Sequence, residues 1–300
     1  MPTGSWETPG KMPLPGTRTT VMPLHILVQG TCWMKAGDQT WHLEEGDVVA
    51  LPFDSGGHKL GVGTDGRVIT PLADLPPRPW PQPPTLRYGG SGPAVRLLCG
   101  YLQCDALSFQ PLRAALPPLL HVKTKGPKSS PWMRAAVEQM TLEVDAPRSG
   151  GTSMVERLTE IVFIELLRHE VIAANAKPAG WLAAITDPSL GRCIALIHGD
   201  PKRDWSVGDL AAASGLSRSV LAERFQTVLD TSPMRYVRDW RLCLAGVALT
   251  TTKKSISAIA DETGYGTEAA FNRAFARTYG VPPATWRRNA RLNPFTTRAA

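Results

Sequence analysis

The sequence predicts an α+β multidomain chain with an N-terminal β-barrel, a helical segment, and a C-terminal all-α domain that repeats one motif. Three observations predict this fold class. Residues 24–60 hold short apolar runs separated by Gly- and Asp-containing turns, as in small antiparallel barrels and jelly rolls. Between about residues 131 and 174, apolar side chains recur every three or four positions, as in amphipathic helices. The last third carries a helix-turn-helix pattern twice.

Turn residues delimit the predicted strands of the first part. Residues 36–38 (Ala-Gly-Asp) are a strong hairpin signal, and residues 45–47 (Glu-Gly-Asp) mark the next turn. Residues 71–93 contain eight prolines. Because proline lacks the N–H that a helix interior or a central strand needs, this stretch is predicted to be an exposed loop. Residues 94–103 then return to the sheet as a further strand.

Two helices are predicted after the strands, over residues 132–144 and 153–174. The second has a broad apolar face that includes Leu158, Ile161 and Val162. Such a face either packs inside the monomer or associates with a second copy, and both alternatives stay open at this point. On the second alternative, residues 131–174 form a helical dimerisation segment.

The repeated motif occupies residues 210–225 and 259–275. In each copy an apolar helix ends at a glycine (Gly215 or Gly264), a short turn follows, and a second helix ends in an aromatic residue. Glycine supplies the left-handed backbone that closes the first helix. One helix-turn-helix places one recognition helix in one major groove, so two in one chain can read two successive grooves. The duplication therefore predicts sequence-specific binding of double-stranded DNA.

A long helix is predicted between the two motifs. Ser232 and Pro233 open it, and it runs to about Thr250. The eighteen residues from Pro233 span ~27 Å at 1.5 Å per residue, against ~34 Å for one turn of DNA. A rigid helix of this length can hold two recognition helices on one face of a duplex.

The distribution of charge agrees with DNA binding. Residues 187–300 hold 16 Lys and Arg against 10 Asp and Glu, whereas residues 1–186 hold 17 against 16. A basic domain is the electrostatic footprint expected for phosphate binding. No apolar run approaches the length of a membrane span, and the N-terminus lacks the basic start and apolar core of a secretory signal. We therefore expect a cytoplasmic protein that contacts no membrane.

Residues 187–290 resemble the DNA-binding domain of the AraC/XylS family of bacterial transcription regulators. The matching runs are 210–211 with 215–217, 232–242, 259–260 with 264–265, 271–275, 279–283 and 286–287. The resemblance implies a seven-helix domain with two helix-turn-helix motifs. One departure is Glu223, where many members carry an arginine; Arg224 lies beside it.

Residues 24–60 and 94–104 resemble the cupin-type sensor domain found in one branch of that family. The matching runs are 24–33, 46–52 with His58, and 97–101. Some relatives in this branch sense oxidants such as reactive chlorine through cysteine, and Cys99 lies where one such cysteine is found. The predicted domains are a cupin-like sensor and dimerisation domain (1–174), a linker (175–186), an AraC-type DNA-binding domain (187–290) and a tail (291–300).

Base-edge contacts need short polar or forked side chains at the exposed start of a recognition helix. The candidates are Ser217, Arg218, Ser219 and Ala222 in the first helix and Thr267, Glu268, Ala269 and Asn272 in the second. Arg218 presents a fork suited to guanine, and Asn272 an amide suited to adenine. Candidates for phosphate contacts are Arg224, Arg273 and Arg277. The alternative for each residue is an intrahelical ion pair or plain solvation. The apolar residues assigned to the core are Leu210, Leu221, Ile259, Phe271, Phe275 and Trp286.

The candidates for an effector or redox site are Cys99, Cys104, Cys32, His25 and His58. The five cysteines of the chain show no metal-type spacing. Two roles are open for these cysteines. A buried thiol either packs as a small apolar group or is oxidised, which would repack the barrel. Metal-binding cupins carry a His-x-His doublet, but Leu27 stands two residues after His25. We therefore expect no metal, no cofactor and no catalytic residue.

These observations predict a homodimeric transcription regulator, not an enzyme. Its expected ligands are operator DNA and a small-molecule effector or oxidant, and RNA polymerase is a candidate partner. Two alternatives stay open: a cupin metalloenzyme that carries a DNA-binding domain, and a regulator whose barrel has lost its ligand and serves only for assembly. The sequence does not distinguish an activator from a repressor.

Overall fold

A computed structural model describes residues 5–9, 21–52, 57–63, 68–69, 84–87, 94–103, 109–125, 131–174 and 180–291. These residues divide into two compact units. Unit 1 takes the described residues between 5 and 103 and those from 117 to 170, and unit 2 takes 109–116 and those from 171 to 291. None of the helices in these ranges combines the length and the apolar character of a membrane span.

Nine strands occur in the described ranges: β1 (Ser5–Pro9), β2 (Val21–Gln29), β3 (Thr31–Ala36), β4 (Gln39–Glu44), β5 (Asp47–Ala50), β6 (Gly57–Gly61), β7 (Val68–Ile69), β8 (Arg96–Gln103) and β9 (Leu120–Lys123). Eleven helices occur there: α1 (Gln110–Ala115), α2 (Pro131–Asp145), α3 (Gly151–Ala174), α4 (Trp181–Thr186), α5 (Pro188–Gly199), α6 (Val207–Ser214), α7 (Arg218–Leu229), α8 (Pro233–Thr251), α9 (Ile256–Glu262), α10 (Glu268–Tyr279) and α11 (Pro283–Arg291).

The strands of unit 1 form two sheets. One has the order β4-β3-β6-β1-β7 and the other β8-β2-β5-β9. The predicted hairpin joins β3 to β4 through Gly37, whose φ is +57°. Gly46 makes the second predicted turn, and a Cβ there would lie 2.7 Å from the Thr124 hydroxyl. The sequence pattern predicts a barrel, whereas the described strands form two separate sheets, and closure of either into a barrel is not seen among them.

The two sheets share one apolar core. Strands β2 to β6 contribute side chains to it, and those of β3 come from alternate positions, as expected for a strand with one buried face. The cluster consists of Leu27, Cys32, Met34, Leu43, Val49, Leu51, Leu60 and Leu119. Strand β8 confirms the predicted return strand. Of the proline-rich stretch 71–93, only residues 84–87 are described, and they belong to neither a helix nor a strand.

Helices α2 and α3 confirm the two helices predicted after the strands. Helix α2 buries Met133, Ala136, Val137 and Met140, which recur every three or four residues and so lie on one face. Glu143 is also buried, and its Oε1 accepts hydrogen bonds from Gln139 and Arg148. Because a buried carboxylate is costly unless it is paired, these two donors stabilise the end of α2.

Unit 2 contains the predicted C-terminal helices. Asp187 caps α5 by accepting hydrogen bonds from the backbone N–H groups of Ser189 (3.0 Å) and Leu190 (2.9 Å), and proline at the first helical position suits this start. Residues 175–186 are predicted to be a linker, but helix α4 forms the last six of them. Trp181 of α4 donates from Nε1 to the Tyr236 hydroxyl at 2.8 Å, so α4 packs within unit 2.

An aromatic cluster in unit 2 surrounds Phe109, which is 2% exposed. The ring centroids of Tyr236 and Trp240 lie 5.2 Å from that of Phe109, and those of Trp181 and His198 lie 6.4 and 6.1 Å away. All four contacts are edge-to-face, an arrangement that ring quadrupoles favour. Burial lowers the pKa of His198 to about 4, so its ring is neutral at pH 7. Phe109 stands between β8 and β9 in the sequence, yet it fills the core of the other unit.

Replacing Phe109 with alanine should empty the centre of this cluster. Because loss of a buried phenylalanine side chain costs about 3–5 kcal/mol, we expect faster amide hydrogen exchange in α5 and α8 of the full chain, measured by mass spectrometry. Phe109→Leu keeps most of the apolar volume and should show a smaller increase. Unchanged exchange of both helices in Phe109→Ala would contradict this packing.

Candidate functional site

Each helix-turn-helix motif has its own set of buried side chains. In the first, α6 and α7 bury Leu210, Leu221 and Phe225. In the second, α9 and α10 share a core with α8 and α11 that contains Leu242, Ala245, Leu249, Ile259, Ala260, Phe271, Ala274, Phe275 and Trp286. The six residues assigned to the core from the sequence are all buried, so that assignment is confirmed.

Both turns use the left-handed backbone that the sequence predicts. Gly215 has a φ of +71° and Gly264 a φ of +78°. Ser217 then caps α7 by accepting a hydrogen bond from Val220 N–H at 3.2 Å, and Thr267 caps α10 by accepting one from Ala270 N–H at 3.2 Å. The N–H groups that precede these capped positions have no intrahelical partner and can bind an anion such as a phosphate.

The predicted base-contacting residues of α7 lie on its exposed face. Ser217, Ser219 and Ala222 are exposed, and the two serine hydroxyls lie 3.1 Å apart. Arg218 is exposed as well, but its guanidinium lies over α6, where a Cβ on Gly208 would be 2.8 Å from Nη2. The arginine must therefore swing away from α6 to reach a base edge.

Arg224, a predicted phosphate contact, has a structural partner. Its Nη2 donates to Asp187 Oδ2 at 2.5 Å, and both side chains are only partly exposed. Although burial acts to raise the pKa of Asp187, hydrogen bonds from Leu190 and Ser189 and the charge of Arg224 lower it below its usual range. Since Asp187 also caps α5, this ion pair ties the recognition helix to the start of α5. A phosphate contact of Arg224 would compete with it.

The predicted residues of α10 differ in exposure. Glu268, Ala269, Arg273 and Arg277 are exposed, and the last three are spaced four residues apart, so they form one stripe along the helix. Asn272 is only partly exposed, and its Oδ1 is buried without a hydrogen-bond partner. The predicted adenine contact needs an amide with both groups at the surface, so in this conformation Asn272 is not positioned to make it.

Two further side chains share the exposed face of α7. Glu223 follows Ser219 by four residues, and Gln226 follows Ala222 by four, so both extend the face that begins at the start of the helix. Neither residue is among the base contacts predicted from the sequence, where Glu223 stands only as a departure from the family pattern. The four-residue spacing is the signal that finds them. A carboxylate can accept a hydrogen bond from cytosine N4, and an amide can pair with adenine.

Inside unit 1, two histidines and a thiol form a hydrogen-bonded chain. His25 Nε2 lies 2.7 Å from His58 Nε2, and His25 Nδ1 lies 3.1 Å from Cys99 Sγ. His25 on β2 faces Cys99 on β8 in the same sheet, whereas His58 comes from β6 of the other. Burial, and then the charge of His58, keeps the pKa of His25 well below its usual value. These hydrogen bonds therefore join the two sheets.

The two thiols of this region are weak acids. Cys99 is exposed as a residue, but burial of its thiol and then the nearby Cys32 raise the pKa of Cys99 to about 12. Burial and then the charge of Asp47 raise the pKa of Cys32 to about 12 as well. At neutral pH the protonated Cys99 thiol can donate to His25 Nδ1, which leaves the Nε2 proton of His25 for His58. Cys104, the remaining redox candidate, lies outside the described residues.

These groups do not fit a metal centre. His25 turns a different ring nitrogen to each neighbour, so the two histidines and the thiol do not converge on one point. In the part of the chain that the structure describes, no three or more His, Cys, Asp or Glu side chains are grouped to hold a metal ion.

Two helix-turn-helix motifs with exposed, partly basic recognition helices define a DNA-binding protein, and comparison with known proteins shows its family. The Cupin family model matches residues 3–171, and the Helix-turn-helix domain model matches residues 210–289. The chain belongs to the cupin family in its N-terminal part, and as a whole it is a DNA-binding transcription regulator of the AraC family.

Two relatives and one solved structure illustrate the similarity. An AraC-like transcription regulator of Streptomyces lividans is 29% identical over 277 residues, which cover 90% of this chain and 87% of that protein. An uncharacterized HTH-type transcriptional regulator of Haemophilus influenzae is 30% identical over 272 residues, 89% of this chain and 86% of the other. An AraC-type regulator structure from Chromobacterium violaceum is 25% identical and covers 37% of this chain and 96% of its own, with a TM-score of 0.34.

Alkylation of Cys99 should be slow at neutral pH and accelerate with alkali. Because its pKa is raised to about 12, the thiolate fraction at pH 7.5 is roughly a thousandfold below that of an unperturbed thiol, and the rate should rise about tenfold per pH unit up to pH 10. Iodoacetamide labelling followed by peptide mass spectrometry measures this, with Cys99→Ser identifying the peptide. A rate that levels off below pH 8.5 would show that the thiolate already dominates there.

Proposed function

We propose that α7 and α10 enter two successive major grooves on one face of operator DNA. The observation that carries this proposal is the packing of α8 on both motifs. Its first half buries Tyr236 and Val237, and the rings of Tyr236 and Phe225 lie 5.8 Å apart. Its second half buries Leu242 and Leu249 in the core of the second motif. The nineteen residues of α8 span ~28 Å, close to the ~34 Å repeat of the groove.

The two recognition helices have different roles in this proposal. Helix α7 reads bases with the exposed side chains of Arg218 and Ser219. Helix α10 contributes the exposed side chains of Arg273 and Arg277, which suit phosphates. An arginine that neutralises a phosphate releases the counterions condensed on the DNA, and this release favours binding. The contacts of Ser217, Ala222, Arg224, Thr267, Glu268 and Asn272 stay predictions of the same interface.

Unit 1 is the sensor in this proposal, and its effector is a small molecule or an oxidant. The support is the chain formed by His25, His58 and Cys99, since a buried polar group costs free energy unless its partners stay in place. A ligand or a covalent change at Cys99 would break those hydrogen bonds.

The polypeptide leads from β8 to the second unit, because Phe109 follows Gln103, the last residue of β8, by six residues. Action on promoter DNA implies the cytoplasm as the location and RNA polymerase as a candidate partner.

A second copy of the chain packs on α3 in this proposal. Met154, Ile161 and Ile172 lie on one side of the helix at 100° per residue, and Ile164 lies beside them. Their exposed fractions are 47%, 46%, 71% and 49%. An exposed stripe of large apolar side chains marks an interaction surface. The commonest oligomer is a two-fold symmetric dimer, in which α3 would pack against α3 of the second copy. The dimer would present two DNA-binding units.

Replacing Arg218 with alanine should relax the base preference of one half-site. A bidentate arginine–guanine contact provides about 1–3 kcal/mol of discrimination, so the ratio of operator to scrambled affinity should fall about tenfold. Fluorescence anisotropy at fixed salt measures both affinities, with an operator obtained by selection from random DNA. Arg87→Ala, which removes the same charge from an exposed site in unit 1, is the control. An unchanged ratio in Arg218→Ala would remove this residue from the reading surface.

Replacing Ile161 with aspartate should weaken self-association. A charge in the centre of an apolar interface has no partner, and its desolvation costs several kcal/mol, so the dimer dissociation constant should rise about a hundredfold or more. Sedimentation equilibrium measures it. Thr152→Asp adds the same charge on the opposite, exposed side of the first turn of α3 and should leave association unchanged. A wild-type monomer at micromolar concentration would refute the dimer.

A further inference from the structure

A single guanidinium bridges the two helix-turn-helix motifs. Arg241, in the middle of α8, donates from Nε to the carbonyl of Pro201 (2.8 Å) and from Nη2 to that of Arg203 (2.8 Å). Its Nη1 donates to the carbonyl of Gly264 at 3.2 Å. The first two acceptors lie in the loop that leads into α6, and the third lies in the turn between α9 and α10. Because all three are main-chain carbonyls, the bridge connects the backbone of one motif to that of the other.

Gly264 admits this guanidinium. A Cβ at position 264 would lie 2.8 Å from Arg241 Cζ and 3.0 Å from the carbonyl oxygen of Lys202, closer than side chains normally approach. The glycine therefore serves two purposes: it supplies the positive φ that closes α9, and it lets the turn approach both Arg241 and the loop before α6.

The loop that receives Arg241 is itself held in place. Trp205 is 4% exposed, and its Nε1 donates to the carbonyl of Asp200 at 2.9 Å. The backbone N–H of Arg203 donates to the Asp200 carboxylate at 3.1 Å, and the Arg203 guanidinium lies 4.1 Å from the centre of the Trp205 ring. A further bond, from Lys202 Nζ to Asp261 Oδ2 at 2.7 Å, joins the loop to α9. The Lys202–Asp261 bond thus connects the first motif to the second outside α8, in addition to the bridge that Arg241 makes from α8 itself.

We propose that Arg241 is a positioning residue that fixes the distance and rotation between the two recognition helices, and so sets the spacing of the two sub-sites that an operator must present. This inference rests on the proposed reading of two successive grooves. Arg241 acts through the loop at 200–205 and the turn at Gly264 and touches no DNA. One inserted base pair moves a sub-site by about 3.4 Å along the duplex and about 35° around it. Motifs joined through Arg241 resist that change, whereas motifs held only by α8 and the exposed Lys202–Asp261 pair can follow it more readily.

Binding of the full-length chain to operators of altered spacing tests the proposal. Operators selected by the wild-type protein are remade with one base pair inserted or deleted between the two sub-sites. For the wild type we expect affinity to fall about tenfold with each change, similar to a serious mismatch. Arg241→Met keeps the aliphatic part of the side chain but removes every donor. For this variant the loss of affinity on altered spacing should shrink to less than about threefold, and binding at the optimal spacing should be weaker.

Two further variants make the comparison specific. Arg241→Lys keeps the charge and offers one compact ammonium in place of the fork, so its penalty should be intermediate, and it carries the test if Arg241→Met does not fold. Arg238→Met is the matched control on the same helix, because the Arg238 guanidinium bonds to Asp239 of α8 itself (3.0 and 2.8 Å). It should keep the wild-type penalty.

The possible results separate cleanly. The proposal would be overturned if folded Arg241→Met or Arg241→Lys lost as much affinity as the wild type when one base pair is inserted or deleted. This holds even if the melting temperature of the variant falls. A wild-type protein whose affinity ignores spacing would refute the two-groove function itself, and the role of Arg241 with it. A penalty that shrinks in the Arg241 variants and persists in Arg238→Met supports the proposal.

Discussion

Helix α8 has to complete two hydrophobic cores at once, and the C-terminal unit depends on that constraint. Tyr236 and Val237 are fully enclosed on the side of the first motif, and Leu242 and Leu249 on the side of the second. Because side chains at both ends are buried, the helix ties the two motifs together. Trp286 of α11 closes the second core against α8, and its Nε1 donates to the carbonyl of Gly246 at 3.3 Å.

The arginines of unit 2 divide into structural and exposed groups, which the net charge does not reveal. Arg241 and Arg287 bond to main-chain carbonyls, which carry no net charge, so both still add to the positive field around the unit. Arg224 instead faces the Asp187 carboxylate, and its charge is neutralised there. Arginines held by main-chain carbonyls therefore still contribute to long-range attraction of DNA, since that attraction depends on net charge rather than on contact.

Local chemistry explains why the C-terminal unit could be predicted in detail. The helix ends at Gly215 and Gly264 and the caps at Ser217 and Thr267 are encoded within a few residues of each other, and periodicity then identifies the buried face. What the sequence analysis missed depends on residues far apart in the chain. The partner of Arg224 stands 37 positions earlier, and no spacing rule pairs two such residues.

The same reason limits what could be predicted for the N-terminal unit. The hairpin of β3 and β4 follows from its turn, but the antiparallel pairing of β1 with β6 and its parallel pairing with β7 join strands that are distant in the sequence. Phe109 shows the limit most clearly. Its aromatic neighbours come from α4, α5 and α8, so a short apolar segment between two strands became part of a helical core for reasons that no local pattern contains.

The protonation of the cluster in unit 1 bears on which class of effector it suits. Oxidants of thiols react with the thiolate, and a thiol with a pKa near 12 holds almost none of it at neutral pH. His25 cannot supply the missing base, because its own pKa is kept far below neutrality and a proton moved onto it would be buried beside His58. A neutral small molecule needs no such ionisation: it has only to offer a donor or acceptor that replaces one link between His25 and its two partners. The hydrogen bonds of His25 to His58 and Cys99 thus suit a small molecule, which is one of the two proposed classes of effector.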